Sequence, residues 1–147
     1  LQVCVVNNGR ETVQVVCGAL ALFDLALGTT ALFHPALRHV LMQPGIPAEG
    51  SWWIRRTAWI WLAFALAQIR AWSRPDDPAR ARLVAFLRAM DVPADLTWVL
   101  TARGVGLMGW VVLTTFPLIN LAIACVLVDA ARRMSPDAAP PGPPTGV

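Results

Sequence analysis

One carboxylate stands deep inside an apolar stretch of this sequence. Asp24 lies near the middle of residues 13–33, which are otherwise mostly apolar. An ionisable side chain inside a membrane helix is costly, so it marks either a functional site or a buried pair that fixes helix packing. Such a carboxylate could carry a proton or hold a polar partner. The candidate partners in other segments are Gln68, Arg103 and Asn120.

The two histidines, His34 and His39, follow this apolar stretch. Histidine binds metals, haem iron and the magnesium of chlorophylls through a ring nitrogen. Side chains five residues apart do not share a helical face as those three or four apart do, and no carboxylate cluster accompanies them. We therefore predict no metal centre. The two histidines either form ordinary hydrogen bonds at a membrane interface or, as the alternative, bind a pigment or haem.

Three glycines, Gly104, Gly106 and Gly109, form a GxGxxG pattern. A dinucleotide site needs this pattern between a strand and a helix, whereas here it opens an apolar segment. We therefore predict that the glycines allow close helix packing. The sequence contains no nucleophile elbow, zinc-protease motif or P-loop, so we do not expect an enzyme.

The composition is that of a membrane protein. Of the 147 residues, 56% are hydrophobic and 14% are charged, whereas about 25% are charged in an average soluble domain. This balance excludes a disordered chain, a nucleic-acid-binding domain and an ordinary soluble enzyme. All 12 cationic residues are arginine and none is lysine, a bias that fits a GC-rich bacterial genome.

We predict an all-α integral membrane bundle with four transmembrane helices in one domain, residues 1–134, followed by a flexible Pro-rich tail, 135–147. The expected spans are about 13–33, 52–72, 83–102 and 105–128, and residues 34–51 form a loop. Spans of this length match a bilayer core of about 30 Å. Trp52 and Trp53 at one end of the second span, and Trp72 at the other, are the expected interfacial anchors.

The third span is the weakest because it contains charged residues, among them Arg88, Asp91 and Asp95. These side chains either lie near an interface or face the bundle interior as pairs. The alternative is three spans plus one interfacial amphipathic helix over this segment.

The arginine distribution predicts the orientation in a bacterial inner membrane. With four spans, seven arginines lie on the side of both termini: Arg10, Arg70, Arg74, Arg80, Arg82, Arg132 and Arg133. Four lie on the other side: Arg38, Arg55, Arg56 and Arg103. Because positive charge favours the cytoplasmic side, we expect both termini in the cytoplasm.

The sequence Leu32-Phe33-His34-Pro35 closes the first span, and Trp53-Ile54-Arg55-Arg56 opens the second. In this layout, over roughly residues 13–72, the chain resembles the small four-helix membrane proteins of the bacterial DoxX-like group. The resemblance implies a four-helix bundle and carries over no catalytic residue.

The leading functional hypothesis is a non-catalytic accessory subunit of a larger bacterial membrane complex, such as a photosynthetic reaction-centre and light-harvesting assembly or a respiratory assembly. Its expected partners are other membrane helices and lipid, not nucleic acid. This hypothesis includes contact of the tryptophan-rich spans with bacteriochlorophyll, carotenoid or quinone. The alternatives are a DoxX-like redox-associated or small-molecule-handling protein and a small transporter.

Overall fold

The computed structural model describes residues 2–42, 52–101 and 103–135, and every regular element within them is a helix. The helices are α1 (Gln2–Phe33), α2 (Pro35–Met42), α3 (Trp52–Ser73), α4 (Pro78–Thr101) and α5 (Leu107–Met134). The all-α prediction is therefore confirmed for the described part of the chain.

Two of the described helices are long and apolar enough to cross a membrane. They are the Asn8–Phe33 part of α1 and the whole of α5, Leu107–Met134. This finding agrees with the prediction that the chain associates with a membrane. The number of crossings and their location stay predictions at this point.

The four long helices run alternately up and down. Near the start of α1, Gly9 lies against Ala130 at the end of α5, and further along α1, Gly18 lies against Trp72 at the end of α3. Hence α1 is antiparallel to both α3 and α5. Helix α4 packs along α5 and also contacts α3, which makes it a full member of the bundle.

One half of the bundle has a close-packed core rich in alanine. Its buried members are Val13, Cys17, Leu20, Ala71, Ala81, Val84, Ala85, Ala124, Leu127, Ala130 and Ala131. Small side chains let helix backbones approach closely, which is how helices associate where water supplies no hydrophobic driving force. This half holds the starts of α1 and α4 in register with the ends of α3 and α5.

The helix boundaries differ from the predicted spans, first of all in α1 and in the predicted loop after it. Helix α1 begins at Gln2 rather than near residue 13, and the polar side chains of Arg10 and Glu11 are exposed on its surface. Residues 35–42 of the predicted loop form α2. Pro35 is compatible with this helix because the first helical position needs no N–H donor. The rest of that loop and the predicted Pro-rich tail beyond Ser135 lie outside the described residues.

Helix α4 begins at Pro78, earlier than predicted, because Asp77 caps it. The Asp77 carboxylate accepts a hydrogen bond from the backbone N–H of Ala79 at 3.0 Å, the geometry of a helix N-cap followed by proline. The Arg80 guanidinium also donates to Asp77 at 2.8 Å. Thus α4 is one continuous helix to Thr101 with Pro93 inside it.

This cap gives a pH-dependent prediction for Asp77→Asn. Loss of hydration tends to raise the pKa of Asp77, but hydrogen bonds from the N–H groups of Ala79 and Arg80 and the Arg80 charge together hold it below its ordinary value of 3.8. A carboxyl with a lowered folded-state pKa stabilises the fold above its unfolded pKa and loses that effect as pH falls through the folded-state value.

Asparagine also caps helices well, so Asp77→Asn removes only the charge. We expect the variant to melt slightly below the wild type at pH 6, with the gap closing as pH falls below 3.8. Thermal unfolding in detergent at a series of pH values measures this gap. A gap that widens on acidification would contradict the assignment.

Candidate ligand-binding site

A polar centre lies beside the alanine-rich core, with one side chain from each long helix. The four side chains are Asp24 from α1, Gln68 from α3, Arg88 from α4 and Asn120 from α5, and all four are buried. Their burial makes pairing essential, because an unpaired charge in an apolar interior is expensive.

The centre is built on an ion pair between Asp24 and Arg88. The Arg88 guanidinium contacts Asp24 Oδ2, and the side chains are 4% and 1% exposed, respectively. Gln68 Nε2 donates to the same carboxylate oxygen at 2.9 Å. A charge-assisted hydrogen bond between ionised groups is stronger than a neutral one, so this contact ties α1 to α4.

Arg88 is also held by groups other than Asp24. Its Nη1 lies 3.5 Å from Asn120 Oδ1 and 3.5 Å from an Asp91 carboxylate oxygen. Its guanidinium carbon lies 5.7 Å from the centre of the Phe64 ring, within the range of a cation–π interaction. The arginine is therefore immobilised from several sides.

The centre retains unused hydrogen-bonding capacity. Asp24 Oδ1, Gln68 Oε1 and Arg88 Nε are buried and have no hydrogen-bond partner among the described residues. Buried polar atoms are paired in the great majority of cases. Unpaired atoms beside a cavity therefore indicate a place where a ligand or water can bind.

A cavity of about 440 Å³ lies next to this centre, in the half of the bundle away from the alanine-rich core. Its lining is mostly apolar, with polar side chains contributed by α1, α4 and α5: Phe23, Asp24, Ala26, Leu27, Thr30, Met42, Trp61, Arg88, Asp91, Asp95, Met108, Val112, Phe116 and Asn120. An apolar cavity of this size with a few converging polar groups is typical of small-molecule sites.

Helical spacing places three charged side chains of α4 on this cavity. Arg88, Asp91 and Asp95 are three and four residues apart and so share one helix face, and all three line the cavity. Asn120 also lines the cavity, and its carbonyl oxygen accepts from Arg88.

The structure differs from the sequence analysis in the arginine that meets Asp24. Arg103, a candidate partner, lies exposed after α4, and Arg88 occupies that place instead. Of the other candidates, Gln68 bonds Asp24 directly, and Asn120 reaches it through Arg88. The sequence feature that points to Arg88 is the group of charged residues in the third predicted span, for which an interface or the bundle interior was expected. Their helical spacing puts them on one face.

The remaining candidate residues do not join this centre. His34 is exposed between α1 and α2, and the side chain of His39 lies outside the described residues, as do those of Trp52 and Trp53. Trp72 is 47% exposed at the end of α3. Among the described residues, no group of three ligating side chains is placed to hold a metal ion.

The three glycines of the GxGxxG pattern lie at the start of α5 and have separate structural roles. Gly104 has a positive φ of 61°, which turns the chain in a conformation that favours glycine. The Gly106 N–H donates to the Met42 carbonyl at 3.0 Å. A Cβ on Gly109 would lie 2.4 Å from that carbonyl oxygen, so Gly109 permits α2 to approach α5.

No protein-family model, curated protein or solved structure matches this chain. The resemblance to the DoxX-like group therefore stays a prediction.

Proposed function

We propose that this protein is a multi-pass membrane protein that binds a small, largely apolar molecule carrying a polar group. The observation that carries the proposal is the cavity of about 440 Å³, one end of which is formed by the Asp24–Arg88 pair. Apolar walls would hold the body of the ligand, and the unpartnered atoms of Asp24 and Arg88, which both line the cavity, would orient its polar group. Among the sequence-based hypotheses, this corresponds to the small-molecule-handling protein.

The outward faces of α3 and α4 support four membrane crossings. On α3, Trp59, Ile60 and Leu66 are exposed, and on α4, Leu83, Phe86 and Met90 are exposed. The charged residues in the middle of α4, which are Arg88, Asp91 and Asp95, line the cavity instead, whereas Arg80 and Arg82 lie in its first two turns. Large exposed apolar surfaces are rare on soluble monomers, whereas lipid would cover these faces.

The proposed location is the bacterial inner membrane with both termini in the cytoplasm, following the arginine distribution. In this orientation, the start of α1 and the alanine-rich core lie in the cytoplasmic half of the membrane. The cavity then lies in the outer half, where α1 ends and α5 begins.

Cavity filling tests the binding proposal. Ala26 lines the cavity, and Ala26→Phe would occupy it with a ring. We expect this variant to lose most binding of the probe tert-butylbenzene, measured by equilibrium dialysis of the detergent-solubilised protein against matched empty micelles. Ala122→Phe is the matched control, because Ala122 is exposed on α5 away from the cavity.

Binding that survives in Ala26→Phe, or that both variants lose equally, would contradict a cavity site. Circular dichroism spectra and melting curves of both variants verify that the bundle is intact.

The accessory-subunit hypothesis is the second candidate, and the exposed indoles inside the proposed spans favour it. Trp59 and Trp110 are exposed on the outer surface and could contact helices of another subunit or a pigment. Purification in mild detergent tests this, with an absorption spectrum for bacteriochlorophyll, carotenoid or haem. A protein that migrates alone, with no stoichiometric partner or pigment, would overturn it.

A further inference from the structure

We propose that the cavity selects organic cations and that Asp24, Asp91 and Asp95 are the recognition carboxylates. This inference rests on the proposed function, because it names the chemical class of the ligand that the cavity binds. It is carried by the charge balance of the lining, by an unpartnered buried oxygen and by the aromatic walls.

The ionisable groups of the lining are unequal in number. Asp24, Asp91 and Asp95 contribute three carboxylates against the single guanidinium of Arg88. When all are ionised the lining carries a net charge of −2, since three negative charges meet one positive charge. A bound cation would reduce this imbalance, whereas an anion would add to it.

Arg88 does not provide a free anion site. Its Nη2 atom contacts Asp24, and its Nη1 atom contacts Asn120 and Asp91, so Nε is the one guanidinium nitrogen without a partner among the described residues. A single N–H cannot hold an anion through two parallel hydrogen bonds as a free guanidinium does. A ligand anion would have to displace a carboxylate that already neutralises this charge. Removing one partner from a buried ion pair is strongly unfavourable.

Asp24 gives a second observation that points to a ligand. Its side chain is 1% exposed and lines the cavity, yet Oδ1 has no hydrogen-bond partner among the described residues. An ionised carboxylate oxygen accepts hydrogen bonds and does not donate them. The group that completes it must therefore be a donor or a positive charge.

The walls favour an organic cation rather than a hydrated one. Phe23 and Phe116 stack with ring centres 5.7 Å apart, and Trp61 also lines the cavity. Aromatic faces attract ammonium groups through their negative electrostatic potential, and aromatic cages are a common way to bind quaternary ammonium ligands. A cation with an apolar body satisfies both the walls and the carboxylates.

Three probes of the same shape separate charge from size. Phenyltrimethylammonium is a cation, tert-butylbenzene is its neutral isostere, and benzenesulfonate is an anion with a tetrahedral head group. Equilibrium dialysis of each against the full chain in detergent micelles gives its dissociation constant. We expect the cation to bind at least tenfold more tightly than the neutral isostere, and the anion to bind most weakly.

Asp91→Asn and Asp95→Asn should each weaken binding of the cation about tenfold, equivalent to about 1.4 kcal/mol, and leave binding of the neutral isostere unchanged. Asp129→Asn is the matched control, because Asp129 forms an exposed pair with Arg133 on the outer surface. It should change the affinity for neither probe.

Equal binding of the cation and the neutral isostere, or preference for the anion, would overturn the cation proposal. If that binding is still lost in Ala26→Phe, the cavity function stands without its proposed selectivity. If no probe binds the wild type, both proposals fail.

Discussion

Replacing Arg88 with alanine is expected to lower the free energy of unfolding by about 3–5 kcal/mol, the usual cost of breaking a buried ion pair from one side. The variant leaves the Asp24 carboxylate buried without its cation, and Asn120 loses its donor. Because the pair joins α1 to α4, the loss should affect the whole bundle. Unfolding by sodium dodecyl sulfate in mixed micelles, followed by circular dichroism, measures the change.

The matched control for Arg88→Ala is Arg133→Ala. Arg133 and Asp129 also form an arginine–aspartate pair, but their side chains are 45% and 57% exposed, and pairs of this kind contribute about 0.3–0.5 kcal/mol. A loss in Arg88→Ala no greater than that in Arg133→Ala would contradict a buried, structurally essential pair.

A double variant keeps this prediction testable if Arg88→Ala does not fold. Asp24→Leu combined with Arg88→Met removes both charges and fills much of the space. Because buried pairs can often be replaced by apolar residues at little cost, we expect the double variant to be more stable than Arg88→Ala. A double variant that is less stable than Arg88→Ala would show that the two residues do not act as a pair.

Gly109→Ala is expected to lower the free energy of unfolding by about 1–3 kcal/mol, the range for overpacking a tight contact. The added Cβ would lie 2.4 Å from the Met42 carbonyl oxygen. That oxygen is backbone and also accepts the Gly106 N–H, so it cannot move aside without breaking a hydrogen bond. The clash should separate α2 from the start of α5.

Gly18→Ala is the comparison for this glycine. A Cβ on Gly18 would meet the Trp72 ring at 3.1 Å, but that ring is 47% exposed and its side chain has room to rotate. Replacing a helical glycine by alanine stabilises a helix by about 0.5–1 kcal/mol. We therefore expect Gly18→Ala to be near neutral in the same assay, and equal losses for both variants would contradict this difference.

Much of the fold was predictable from local pattern. The apolar stretches around Asp24 and Asn120 predicted α1 and α5, since each is long enough to cross a bilayer core of about 30 Å. The sequence pattern did not predict α2, because Pro35 is typical of a loop, although proline also fits the first turn of a helix.

The sequence by itself determined the all-helical fold class and the position of Asp24. Composition and periodicity are local properties, and they sufficed to predict an all-helical chain with Asp24 inside an apolar helix. Only the tertiary structure decided that Arg88, rather than Arg103, meets Asp24, and that Asp91 and Asp95 line the cavity. The physical reason is that alanine-rich helix faces permit several registers of similar packing. The register is fixed by contacts between residues far apart in the chain, among them the buried Asp24–Arg88 pair.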